Sequence, residues 1–145
     1  MKALLQRVRR ASVEVEGQCV GKIEQGLLVF LGLEKEDGEE ALAKLISRIL
    51  AYRVFADEQG RMNKSVADIA GGVLLVSQFT LAADTKKGLR PGFSTAAEPA
   101  RARQLYEFAL ADLSGKHPVV ASGEFGADMQ ISLLNDGPVT FLLEA

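Results

Sequence analysis

The run Leu27-Leu28-Val29-Phe30-Leu31, entered through Gly26, constrains the fold more than any other segment. Continuous apolar residues over this length suit a strand buried on both faces rather than one that lines a wet surface. Burying both faces takes a sizeable core. A chain of 145 residues can hold one as a single domain without metal or disulfide staples.

Around that run the chain reads as strands with two helices inserted, without repeats, low-complexity stretches or linkers. Residues 3–16 predict a long strand in which Val13 and Val15 alternate with Glu14 and Glu16. Gly17-Gln18 is the expected turn into a second strand at 19–25. A first helix follows Asp37, which can cap it, with Glu40 completing a capping box. Leu42, Leu45, Ile46, Ile49 and Leu50 then mark one helical face. Residues 52–57 predict a short strand, and Gly71-Gly72 opens the strongest one, Val73 to Leu81. After a loop rich in turn residues (Asp84, Gly88, Pro91, Gly92), Pro99 fits the first turn of a second helix. That helix is expected to stop at Gly115, with Leu105, Phe108 and Ala109 inward. Met129–Leu134 and Val139–Leu143 predict two strands, with Asn135-Asp136-Gly137-Pro138 as a hairpin between them. Paired strand runs at both ends and two helices between them indicate an α+β fold: a mainly antiparallel, barrel-like sheet with two helices.

The inventory excludes several chemistries. Seventeen Lys+Arg against nineteen Asp+Glu leave a net charge of −2. That argues against coating nucleic acid by bulk positive charge, and leaves room for gripping an RNA end through a local patch. One cysteine, Cys19, and one histidine, His117, exclude a disulfide framework and Cys- or His-rich metal sites, so no metal and no cofactor are expected. No apolar run is long enough to cross a bilayer, and the arginines at 7, 9 and 10 break any signal-peptide pattern. A cytoplasmic protein without a membrane partner is the expectation. His117, in Gly-Lys-His-Pro, reads as an exposed turn residue, and Cys19 as a small buried hydrophobe. No Gly-rich phosphate loop and no pair of carboxylates stands out.

Two segments do. Ser77-Gln78-Phe79-Thr80 places hydroxyl, amide and aromatic groups where an apolar strand should continue or stop. Polar groups at the mouth of a buried strand need partners, so a site is plausible there, as is a plain strand end. In Asn135-Asp136-Gly137-Pro138-Val139-Thr140, proline follows glycine in a tight loop, a place where a cis bond can sit. Such a unit would present rigid carbonyls with no side chain in front of them. The residues alone leave open an enzyme, a module that binds an aminoacyl or nucleotide group without turnover, and a structural dimer whose loop is only a turn.

Taken together, and over essentially the whole chain, these segments resemble the D-aminoacyl-tRNA deacylases of the bacterial and eukaryotic type, formerly called D-Tyr-tRNA(Tyr) deacylases. The resemblance rests on Met1-Lys2-Ala3-Leu4-Leu5-Gln6-Arg7-Val8, Ser77-Gln78-Phe79-Thr80-Leu81, Lys87-Gly88-Leu89-Arg90-Pro91 with Phe93, and Asn135 to Thr140, in that order and without a departure. It implies a homodimer that hydrolyses the ester joining a D-amino acid, or glycine, to the terminal adenosine of tRNA. It implies that Ser77, Gln78 and Phe79 line the pocket, with Thr80 beside them and Met129 facing it. Gly137-Pro138 corresponds to the family's cis pair, which enters the other subunit's pocket, and Arg7 to the arginine that steadies it.

The inventory and the resemblance both describe a hydrolase without a convincing protein base. Substrate-assisted hydrolysis is therefore expected, with the ribose 2′-OH orienting or activating water and backbone N–H groups near Gln78–Thr80 holding the ester. Thr80 as a nucleophile is the rival. Chirality would come from exclusion, the Gly137 and Pro138 carbonyls clashing with an L side chain and passing glycine. Lys86, Lys87, Arg90, Arg101 and Arg103 form either a solvated basic face or a contact with acceptor-stem phosphates.

Overall fold

The computed structural model describes all 145 residues. The sheet is assembled on β1 (Lys2–Val15), which is paired along both edges. On one edge it turns at Glu16-Gly17, both at positive φ, into β2 (Gln18–Ile23). The turn thus lies one residue earlier than Gly17-Gln18. After a break at Glu24-Gln25 the same edge is taken up by β3 (Gly26–Gly32), from Val8↔Gly26 to Lys2↔Gly32. The other edge of β1 carries the last strand, β8 (Gln130–Glu144).

From β3 the sheet continues in parallel through β6 (Gly72–Ser77) to β7 (Val120–Ser122). The α+β architecture with two helices and a mainly antiparallel sheet is as expected, but the sheet also holds two parallel pairs, β3–β6 and β6–β7. The reason is that α1 (Glu39–Ala51) and α2 (Pro99–Lys116) are each part of a crossover that brings the chain back in the same direction. The sheet curls until β2 touches β7: a Cβ built on Gly21 would collide with the Ser122 carbonyl. The result is a nearly closed, barrel-like sheet.

This arrangement buries the predicted run on both faces. Leu27, Val29 and Leu31 enter the main core with Val73, Leu75 and the helices, which contribute Leu42, Leu45, Ile46, Ile49, Leu105 and Ala109. Leu28, Leu74 and Val76 fill a second core with Val8, Ala11 and Val13. A separate two-stranded hairpin, β4 (Phe55–Ala56) with β5 (Met62–Lys64), is shorter than the strand expected at 52–57.

Other local expectations are corrected by long-range partners. Asp37 does not cap α1; the cap residue is Gly38, without a side-chain bond. The Asp37 carboxylate instead accepts the Glu34 N–H at 2.6 Å and the Met1 amine at 3.1 Å. α2 begins at Pro99 as expected but runs through Gly115 to Lys116. His117, expected in an exposed turn, is 5% exposed, its Nε2 lying 2.6 Å from the Gly71 carbonyl oxygen. It ties the end of α2 to the start of β6, which gives a buried ring nitrogen a partner. Cys19, expected to be buried, is exposed on β2.

Candidate active site

The strand expected to reach Leu81 ends at Ser77. The Gln78 N–H makes a last bond to the Leu31 carbonyl at 2.8 Å. The chain then winds into a short 3-10 helix, Phe79–Ala82. Gly32, at the end of β3, makes room for this winding, because a Cβ there would stand 2.7 Å from the Leu81 Cβ. The helix bonds Leu81 N–H to the Gln78 carbonyl and Ala83 N–H to the Thr80 carbonyl. The Phe79 and Thr80 N–H groups open the turn and have no acceptor within it, as at any helical start. The Gln78 side-chain amide donates to the Thr80 hydroxyl at 2.5 Å.

Ser77, Gln78 and Phe79 line a cavity of about 460 Å³, and Met129 is part of the same lining. Leu31 and Val76 come from the sheet, and Pro99 and Ala102 from α2. The segment Phe125–Met129 closes the remaining side. Gly123 lets Met129 settle, since a Cβ there would meet its sulfur at 2.6 Å. Phe125 is held between Tyr106, ring centroids 5.8 Å apart, and the Arg103 guanidinium, 4.8 Å above its ring. Below the cavity floor, the Tyr106 hydroxyl donates to the Leu75 carbonyl at 2.9 Å. Burial pushes the Tyr106 phenol up to about 12. It therefore stays a protonated donor and is no base.

Thr80 stands beside the cavity, bound to Gln78, and does not line it. Asp128 is the single Asp, Glu, Lys, Arg, His, Cys or Tyr side chain in the lining, and it is exposed at the mouth. Neither it nor the Phe125 wall was singled out from the sequence. Gly-Glu-Phe-Gly-Ala-Asp has no periodicity and no motif, so nothing in it signalled a wall.

Gly137, Pro138 and Arg7 do not line this cavity. The expected hairpin at 135–138 does not exist; β8 is one strand that runs through it, paired with β1 on both sides. Between the pairs Gln6↔Thr140 and Val8↔Asn135 the strand bulges out opposite Arg7. Arg7 fills the space beneath. Its Nε donates to the Asp136 carbonyl at 3.0 Å and its Nη1 to the Val54 carbonyl at 2.8 Å. Asn135 closes the bulge: its Oδ1 accepts the Val139 N–H and its Nδ2 donates to the Thr140 hydroxyl, both at 2.9 Å. Gly137-Pro138 is a cis peptide, with Gly137 at φ +137°, and both residues are exposed. Val139, next to them, is buried in the core.

Comparison with known proteins gives the family and the fold. A profile of the D-Tyr-tRNA(Tyr) deacylase family matches residues 4–144. A D-aminoacyl-tRNA deacylase of Stutzerimonas stutzeri is 61% identical over the full length of both chains. One of Cellvibrio japonicus is 60% identical over 99% of each. Among solved structures, the c-Myc DNA unwinding element binding protein superposes with a TM-score of 0.96 at 42% identity, covering 100% of this chain and 99% of its own. A probable eukaryotic D-amino acid tRNA deacylase has the same fold, with a TM-score of 0.79 at 17% identity over 98% of this chain and 97% of its own. On the match along almost the whole chain, and on relatives of about 60% identity at equal length, the chain belongs to the D-Tyr-tRNA(Tyr) deacylase family, hydrolases also named D-aminoacyl-tRNA deacylases.

Proposed function

We propose that the cavity between Ser77–Phe79 and Met129 receives the aminoacyl end of a D-aminoacyl-tRNA, or of glycyl-tRNA(Ala), in the cytoplasm. Water adds to the ester carbonyl there, the ribose 3′-oxygen leaves with a proton, and free tRNA and amino acid result. The observation that carries this reading is a cavity with polar groups at one end and no buried acid or base. An aminoacyl ester is already activated, so positioning and charge stabilisation suffice. The Phe79 and Thr80 N–H groups supply the donors for the developing oxyanion; the Gln78 N–H is already spent on Leu31. The neighbouring ribose 2′-OH orients the water, which leaves Thr80 a supporting hydroxyl rather than a nucleophile.

The active unit is a homodimer in which Gly137-Pro138 of one copy completes the cavity of the other. Two features support this. Gly137 and Pro138 are exposed to solvent and line no part of the cavity of their own chain. The outer strand β8 also exposes Leu133, Leu134, Phe141 and Leu142, an apolar edge that a second copy can cover. Rigid carbonyls near the substrate Cα then exclude an L side chain and admit hydrogen, so D-amino acids and glycine pass.

The test is turnover of D-, L- and glycyl-tRNA by the parent and by Thr80→Ala, with and without the terminal 2′-OH. The expected result is hydrolysis of D and glycyl esters only, much of it retained in Thr80→Ala and nearly none on the 2′-deoxy substrate. A dead Thr80→Ala protein that leaves the 2′-deoxy ester as good a substrate for the parent overturns substrate assistance. A fully active monomer in sedimentation overturns the cross-subunit filter.

A further inference from the structure

We infer that the loop Asp84–Gly92 is a docking surface for the substrate RNA beyond its terminal nucleotide, with Lys86, Lys87 and Arg90 meeting backbone phosphates. The inference rests on the reading of the cavity as the aminoacyl-end site. The Asp84↔Gly92 bridge pinches the loop at its base, with Asp84 N–H to Gly92 O at 2.7 Å and Gly92 N–H to Asp84 O at 3.0 Å. Everything from Thr85 to Pro91 then stands in solvent. The loop is joined to the cavity through one aromatic contact. Phe93, just past the bridge, packs its ring 5.2 Å from that of Phe79, which lines the cavity.

Three cations lie within five residues on this loop, against one carboxylate, Asp84. None of the three is in an ion pair, whereas Lys44, Lys64 and Lys116 each are. Asp84 is in no ion pair with them; its Oδ1 accepts the Lys86 backbone N–H at 3.0 Å. Leu89 is wholly exposed among them, an apolar tip that an unstacked base can cover. On a chain with a net charge of −2, these three unpaired cations form a local positive cluster, tied to the cavity lining through Phe93 and Phe79, on which an anionic polymer can lie. An RNA whose last residue sits in the cavity must leave by that mouth and carries a phosphate at every step.

Phosphate contacts show as salt dependence. Three contacts to a single strand give a slope of about −2 in log affinity against log salt, roughly 20-fold between 50 and 200 mM. The experiment compares the parent with Lys86→Gln/Lys87→Gln/Arg90→Gln on D-aminoacyl-tRNA and on a D-aminoacyl ester of adenosine alone. A second variant, Arg53→Gln/Arg61→Gln, removes two exposed cations that line no part of the cavity. The triple variant is expected to lose at least tenfold more kcat/KM on the tRNA than on the adenosine ester. Its KM for tRNA should also rise roughly 20-fold less than the parent's across that salt range. Equal loss on both substrates, no loss on either, or the same loss in the Arg53/Arg61 variant overturns the docking surface. A parent that cleaves neither ester removes the proposed function itself, and the docking surface with it.

Discussion

Gly32 lines no part of the cavity, yet Gly32→Ala should cost the enzyme most of its rate. The new Cβ would lie 2.7 Å from the Leu81 Cβ, 3.1 Å from the Gln78 carbonyl and 3.4 Å from the Ala82 nitrogen. Non-bonded carbons settle at about 3.5–4.0 Å, so the turn that carries Phe79 and Thr80 must retreat by roughly 1 Å. None of the three atoms is the end of a flexible side chain, so the backbone has to move. A misplacement of that size costs on the order of 100-fold in rate. Overpacking itself costs about 1–3 kcal/mol, a fall in Tm of roughly 3–10 °C for a chain of this length. The assay is kcat/KM for D-aminoacyl-tRNA together with a thermal melt. Gly32→Ala/Leu81→Gly, which removes the colliding Cβ, should recover part of the rate and separates displacement of the turn from general damage. A Gly32→Ala protein with the parent's kcat/KM would refute the claim that close approach of β3 sets the turn.

Three further outcomes are expected. Gly137→Ala would set a Cβ 2.7 Å from Val139 Cγ2, 3.0 Å from the Val139 nitrogen and 3.2 Å from an Arg7 guanidinium nitrogen, at a φ of +137° that side chains avoid. It should sharply lower D-ester hydrolysis while circular dichroism and sedimentation match the parent; a folded dimer with the parent's rate and chirality would place the filter elsewhere. Tyr106→Phe removes the bond to the Leu75 carbonyl, which keeps the Gly123 N–H at 3.0 Å. It should cost only about 0.5–1.5 kcal/mol in denaturant melts, and a loss of several kcal/mol would contradict that reading. The Asn63 side chain and the Arg61 and Gln59 N–H groups hold the Asp57 carboxyl below its usual range. The stability it lends the β4–β5 hairpin is therefore present above the unfolded carboxyl value of about 3.9 and is lost as the pH falls through the lower folded value. The Gln59 and Arg61 amides should lose protection, relative to the intrinsic exchange rate at each pH, in that acid range, and unchanged protection at pH 2 would contradict it.

What the sequence showed and what it hid follow from the range of the interactions. Leu27–Leu31 and the helical stripe Leu42-Leu45-Ile46-Ile49-Leu50 declare themselves because burial acts on each residue's own pattern. Ser77-Gln78-Phe79 stood out by polarity at a strand end and Met129 only through the family resemblance, and the four meet in one cavity. Asp37 looked like a cap because short acids favour helix starts, but the Met1 amine, 36 residues away, claims it. The Asn135–Pro138 segment carries every local mark of a hairpin. Its direction is decided instead by β1, whose Arg7 fills the bulge and whose ladder resumes at Val8. The strand end at Ser77 likewise depends on Gly32 across the sheet. The parallel pairs and the Phe125–Asp128 wall depend wholly on tertiary contacts, and no local rule reaches them.

The pairing of β1 with β8 also sets a schedule for making the protein. β1 leaves the ribosome well before β8, with 16–129 between them. At ordinary elongation speeds of about 5–20 residues per second, the first strand waits roughly 6–20 s for the partner along one whole edge. The β1–β2–β3 meander can form early, since its contacts are local, while the β8 edge is a high-contact-order step that closes only once β8 has emerged. Until then an open strand edge with Ala3, Leu5, Val8, Ala11 and Val13 beside it is available to other nascent chains. Lys2, Arg7, Arg9 and Arg10 sit on that same strand, and like charges at these positions oppose edge-to-edge pairing of two unfinished copies while the last strand is still being made.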